Sequence, residues 1–317
     1  MSDLAKARWQ LHFCVLLWGF TAILGKLISL PALSLVWWRM LIVVACLLLL
    51  PRIWRAARAV PFKLLAIYAG IGGIVALHWL TFYGAIKLAN ASVAVTCLAV
   101  GPSFLAIIEP WVSKRAFDWR ELALGLAVIP GVALVVGGVP GDMRLGVVVG
   151  VISALFVAFF VSYNKRYIDR ADPLLVTAVE LGAGVLLLTL IAPFADGGMQ
   201  GLLTPPRGQD AFYMALLALG CTLLPFTLSL VALRKLTAFS AQLAVNLEPI
   251  YTIVIAALLL GEQRELSGSF YIGVIVVLSA VFIQPLITRK PELIAGDALA
   301  SEALQTATSG KPDRAEH

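Results

Sequence analysis

The chain has 317 residues, 61% of them hydrophobic and 13% charged, with a formal net charge of +6. Ordinary globular chains run near ~45–50% apolar and ~25% charged, so this composition excludes a typical soluble enzyme and a disordered chain alike. Mean hydropathy is +0.94, and the apolar residues come in long blocks without a two-residue alternation. In lipid every backbone polar group must be paired internally, which leaves helices or closed barrels. Block length decides for helices, since a span needs about 20 apolar residues.

Ten spans are predicted, at 11–29, 32–50, 64–86, 91–112, 121–138, 146–165, 174–192, 211–232, 239–260 and 268–287. The first carries Trp18 and Lys26 and lacks a small-x-small cleavage site, so it reads as a retained span and not a signal peptide. The second carries Arg39 about eight residues in, with Trp37, Trp38 and Trp54 placed as interface anchors. The basic segment RIWRAARAVPFK (52–63) follows; beside a span it suits lipid headgroups better than nucleic acid. Span three holds His78, Trp79 and Tyr83, and span four ends near Glu109, within reach of Lys114 or Arg115. Span six carries Phe156, Phe159 and Tyr163, span seven Glu180, and span nine Gln242, Asn246, Glu248 and Pro249. The four cysteines (Cys14, Cys46, Cys97, Cys221) fall inside spans with no CxxC or ligand spacing, as small packing residues do. The longest loop, 193–210, is rich in Gly and Pro, and the mixed-charge tail 288–317 is expected to be disordered.

Basic residues near span ends set orientation. With the N-terminus inside, cytoplasmic segments hold 16 Lys and Arg and the outer loops hold 4, namely Lys87, Arg144, Arg207 and Arg264. Ten spans with both termini cytoplasmic fit this split, in a plasma membrane of the bacterial inner type. Within the chain, AIKLANASVAVTCLAVGP (85–102) aligns without a gap on ALRKLTAFSAQLAVNLEP (232–249), bringing Lys87 onto Arg234 and Pro102 onto Pro249. The repeat unit is five spans, so an odd count inverts the second copy relative to the first. The expected organisation is a short cytoplasmic N-terminus (1–10), repeats at 11–138 and 146–287, and the tail. Inverted repeats recur in secondary transporters, with the substrate site near mid-membrane. Two apolar helix–turn–helix pieces can look alike by composition alone, but the matched Lys/Arg and Pro and the odd span count favour a repeat.

The residues Trp18–Gly19, Lys26 and Arg39, the stretch HWLTFYGAIKLANASVAV (78–95) and the stretch NLEPIYTIVIAALLLGE (246–262) together resemble the drug/metabolite transporter superfamily. The similarity is to its ten-helix EamA-type members with two EamA repeats, and it covers nearly the whole chain except the tail. In the first repeat the Gly-Glu that ends NLEPIYTIVIAALLLGE is replaced by Lys114–Arg115. The resemblance implies export of amino acids or related metabolites, or drug efflux, by alternating access without ATP. It also implies a central site formed by spans one, three, four, six, eight and nine.

A charge at the bilayer centre costs about 2.5–3.5 kcal/mol on insertion scales, so each one invites a reason. Glu248 sits beside Pro249, which frees a carbonyl one turn earlier, and lies near Asn246 and Gln242; a protonated packing contact is the plainer alternative. His78, with Trp79 and Tyr83, suits a proton carrier or a satisfied polar contact equally. Arg39 and Glu180 stand at roughly corresponding positions and suit an ion pair or a gate, unless Arg39 snorkels outward. Trp18, Phe159 and Tyr163 offer rings for an apolar or aromatic solute, though such residues more often pack. No GxxxxGK[ST], HExxH or other catalytic pattern is present, so no enzyme, cofactor, metal or ATP site is predicted. The reading is an all-α membrane carrier of small molecules, with protons as candidate coupling ion and a monomer sufficient. Multidrug efflux, or an intramembrane enzyme on lipid-linked substrates, is the alternative.

Overall fold

A computed structural model describes residues 3–245 and 247–287, and among them the chain is helical with no strand. The helices are α1 (Asp3–Leu27), α2 (Ala32–Leu48), α3 (Pro51–Ala59), α4 (Phe62–Leu88), α5 (Ala91–Leu98), α6 (Gly101–Ser113), α7 (Trp119–Leu126) and α8 (Ile129–Gly138). After these come α9 (Arg144–Tyr167), α10 (Pro173–Ile191), α11 (Gly198–Leu203), α12 (Gly208–Ala215), α13 (Leu224–Leu233), α14 (Ala238–Val245), α15 (Glu248–Leu259) and α16 (Gly268–Ile287). Asn246 and the tail beyond residue 287, about which the sequence raised expectations, lie outside the described residues.

Among the described residues, six helical stretches are long and apolar enough to cross a membrane: Asp3–Leu27, Phe62–Leu88, Ala91–Ser113, Gly141–Arg170, Pro173–Phe194 and Gly208–Leu233. A seventh arises if α2 and α3 are taken together, although they meet at a bend of 88°. The apolar helices α8 and α15 are short, each beginning just after a break in the chain. Pro102, Pro130 and Pro249 each open a new helix just after a break, in the first turn, where a missing N–H costs nothing. Between α12 and α13 the chain winds as a π-helix over Leu216–Leu223, ahead of Pro225, which cannot donate to the Cys221 carbonyl.

Glycine sets how closely the helices approach. A Cβ on Gly72 of α4 would lie 2.0 Å from the Glu180 carbonyl of α10, so backbone packs on backbone there. Two further features recur at positions related by the internal match. Lys87 at the end of α4 donates to the Ile28 carbonyl just past α1, and Arg234 past α13 donates to the carbonyls of Ile168 (3.2 Å) and Ala171 (2.5 Å), just past α9. Lys114 ends α6 in the left-handed region at φ 55°, and Gly261, 147 residues on, follows α15 at φ 71°.

Candidate functional site

A cavity enclosing about 670 Å³ of empty space, mouth included, lies where the breaks meet. Its apolar wall comes from Trp18 of α1, Trp79 and Phe82 of α4, Phe160 of α9 and Phe226 of α13. The Phe160 and Phe226 rings stack at 5.9 Å with an interplanar angle of 14°, while Trp79 meets Phe226 edge-on at 5.8 Å. Its polar lining is Thr21, Arg39, His78, Gln242 and Glu248. This mix, rings with a few aimed polar groups, is the usual make-up of a small-molecule site.

Arg39 is 2% exposed, so it does not snorkel to the interface. Its Nε donates to Thr222 Oγ1 at 2.5 Å and its Nη1 to the Tyr83 hydroxyl at 2.8 Å, while the guanidinium lies 3.8 Å from the Trp79 ring centroid. The π-turn explains the first of these bonds. Thr222 gives its own hydroxyl proton to the Leu217 carbonyl, five residues back, at 2.6 Å, which leaves its lone pairs for Arg39. The hydrogen bonds spare Nη2, and the ring contact adds cation–π attraction to the guanidinium.

His78 Nδ1 lies 2.8 Å from Ser153 Oγ and 3.0 Å from the Ser153 carbonyl, and that hydroxyl donates to the His78 carbonyl at 2.9 Å. Because the only Ser153 hydroxyl proton is used, Nδ1 must carry a proton, which leaves Nε2 as the nitrogen able to accept, with no hydrogen bond to it among the described residues. Gln242 is 1% exposed, and neither end of its amide has a hydrogen-bond partner among the described residues. It lies against Gly101, where a Cβ would sit 3.0 Å from its Nε2. Glu248, 6% exposed, opens α15 directly after the break, at a helix N-terminus that favours negative charge.

Of the residues singled out in the sequence, Trp18, Arg39, His78, Trp79, Gln242 and Glu248 line this one cavity. Tyr83 stands behind it as a partner of Arg39. Phe159 and Tyr163 pack instead against the cluster of Leu105, Ile108, Val112 and Ala158, and the neighbouring stripe Val157, Phe160 and Val161 faces the cavity. That stripe has i, i+3, i+4 spacing, a helical signal that sequence reading could have weighed. Glu180 is fully buried on α10, beside the Asn164 amide though outside strict hydrogen-bond geometry. No ion pair joins it to Arg39 among the described residues, whose guanidinium is taken up by Thr222, Tyr83 and Trp79. Glu109 does meet Arg115, at 3.3 Å, and Glu121 meets it at 2.5 Å. Thr21, Phe82, Leu98, Val157, Phe160, Val161, Val245, Thr222 and Phe226 were not read from the sequence as part of this region.

Helical bundle, breaks and central cavity define a multi-pass membrane protein. The EamA-like transporter family matches it twice, over residues 10–137 and 144–284, and the chain belongs to that family. It is therefore a membrane transporter of the drug/metabolite type, with two family repeats. No curated protein matches it. Among solved structures, a crystal structure described only as that of a protein aligns at TM-score 0.63 and 17% identity, covering 90% of this chain and 99% of the other, a likeness of fold alone.

Proposed function

We propose that the chain is a secondary transporter that exports amino acids with large apolar or aromatic side chains, by alternating access through the cavity of Arg39, Gln242 and Glu248. The carrying observation is the composition of that cavity. It presents a guanidinium, a carboxyl group and an amide with no partner, facing a wall of Trp18, Trp79, Phe160 and Phe226. A zwitterion with a bulky side chain matches all three chemistries: carboxylate toward Arg39, ammonium toward Glu248, and side chain on the rings. A cationic drug would use the rings and Glu248 but be repelled by Arg39, so multidrug efflux ranks second. An intramembrane enzyme ranks below it, since the polar groups gather in a cavity and not at one membrane face.

The same reading takes the chain as ten spans in a bacterial inner membrane with both termini cytoplasmic. Repeats 11–138 and 146–287 are inverted, and the second would rock against the first. Support comes from the matched breaks before Pro102 and Pro249, and from the paired bonds of Lys87 and Arg234 to the carbonyls past α1 and α9. Protons are the proposed coupling ion, with Glu248 or His78 as carrier.

Uptake of a labelled amino-acid panel into proteoliposomes, with and without a pH gradient, tests this. Saturable transport of phenylalanine, tryptophan or leucine is expected, falling at least tenfold in Arg39→Ala and in Glu248→Ala. Arg39→Lys should not restore it, because an ammonium cannot reproduce the planar fork held by Thr222 and Tyr83. Transport of hydrophobic cations in place of amino acids would transfer the assignment to drug efflux. Glu248→Gln should lose gradient-driven transport and keep exchange; equal loss of both would remove Glu248 as proton carrier.

A further inference from the structure

Helix α3 turns 88° from α2 and runs for nine residues, too short to cross a bilayer. Its two sides differ sharply. Ile53 is buried, and Ala56, Ala57 and Val60 pack beside it on the core, an i, i+3, i+4, i+7 stripe. The opposite side carries Arg55 and Arg58, with Lys63 just beyond the helix, all exposed. None of the three has an ion-pair partner among the described residues, whereas the neighbouring Arg52 is neutralised by Asp172 at 2.5 Å. Two large rings flank these charges. Trp54 is 54% exposed, with its indole N–H on the Leu48 carbonyl at 2.8 Å, and Phe62 is 84% exposed.

We propose that α3 and the start of α4 form a binding site for anionic phospholipid headgroups, in which Arg55, Arg58 and Lys63 hold the phosphate and Trp54 and Phe62 sink into the acyl boundary. A helix lying across the ends of the spans, basic on one side and ringed with aromatics, has the charge and shape complementary to an acidic lipid surface. The second family repeat supplies an internal control. α11 occupies the equivalent place, between α10 and α12 as α3 lies between α2 and α4, yet its sequence GMQGLL holds no charge. It is bound to protein instead: Trp38 donates to the Thr204 carbonyl at 3.0 Å and Ser34 to the Gly201 carbonyl at 3.2 Å. The inference is independent of the transported substrate.

The test uses the full chain in neutral detergent, titrated with phosphatidylglycerol or phosphatidylcholine, with bound lipid counted by native mass spectrometry. Phosphatidylglycerol should be retained in preference. The combined variant Arg55→Gln/Arg58→Gln/Lys63→Gln should weaken it by about fivefold for each charge removed, and Arg207→Gln beside α11 should leave it unchanged. Equal retention by the triple variant, or of phosphatidylcholine, overturns the proposal. So does displacement by inorganic phosphate alone, which would mark a free-phosphate site. Should the triple variant not fold, the unaltered protein decides. Its lipid preference must fade as salt rises from about 0.05 to 0.5 M, because exposed charges are screened over that range, and a flat response overturns the site.

Discussion

The helices α5 and α14 begin at matched positions of the two family repeats, Asn90 against Thr237, and are fastened very differently. At α5 the Asn90 side chain accepts from Val93 N at 2.9 Å, and Glu262, from the turn after α15, reaches across to cap the same end. The Glu262 carboxylate accepts from Ala91 N at 3.1 Å, Ser92 N at 3.0 Å and Ser92 Oγ at 2.7 Å, while Glu265 takes the Asn90 amide at 3.1 Å. Glu262 is 1% exposed, so these bonds are dry. At α14 the exposed Thr237 offers its Oγ1, which accepts from Ser240 N at 3.0 Å. The position matching Glu262 is Arg115, 147 residues earlier, and a guanidinium has only donors, so it cannot cap the N–H groups of a helix start. Arg115 turns back to Glu109 and Glu121 in its own repeat. The chemical type at this one position therefore ties the start of α5 to the other repeat and leaves the start of α14 without that tie.

The largest effect expected from this contrast belongs to Glu262→Ala. It strands two buried N–H groups and a hydroxyl, at a cost of about 3 kcal/mol or more, read as a clear fall in the thermal midpoint of the purified protein. A shift no larger than that of a surface alanine would mean the cap is replaced by water and the tie is nominal. Hydrogen exchange sharpens the same comparison without mutation: amides 91–93 should be protected far longer than 240–241, and equal protection would erase the asymmetry. A smaller effect is expected for Thr237→Ala, about 0.5–1 kcal/mol for a single exposed N-cap. The smallest concerns the helix ends downstream. Lys114 sits at φ 55° where the second repeat has Gly261 at φ 71°. A side chain in that region costs roughly 1 kcal/mol that glycine avoids, so Lys114→Gly should stabilise by up to about that amount. A loss of stability would show that the Lys114 side chain makes a contact worth more than the strain.

The repeat itself was legible because its marks are local. Proline breaks a helix wherever it stands, and basic residues collect at span ends, so Pro102 with Pro249 and Lys87 with Arg234 could be paired by eye. The Arg39 environment was not legible. Its partners Tyr83 and Thr222 lie 44 and 183 residues away, and the second is aimed only because the chain winds as a π-helix ahead of Pro225. Trp18, His78, Trp79, Gln242 and Glu248 could be singled out as unusual residues, but neither periodicity nor charge said that they share one cavity. Phe226 carried no signal setting it apart from the other aromatics of apolar helices, and Phe160 only the helical spacing it shares with Val157 and Val161.

The sequence by itself determined that this chain is helical and lies in a membrane, because apolar blocks of span length without two-residue alternation pair their backbone in lipid as helices and not as barrel strands. Resemblance in its motifs also pointed to the EamA-type family. Only the tertiary structure decided which face of each helix looks inward. Helices that are apolar all round hold no periodic record of their packing side, and the choice rests on where glycine permits contact and where a proline break turns the chain.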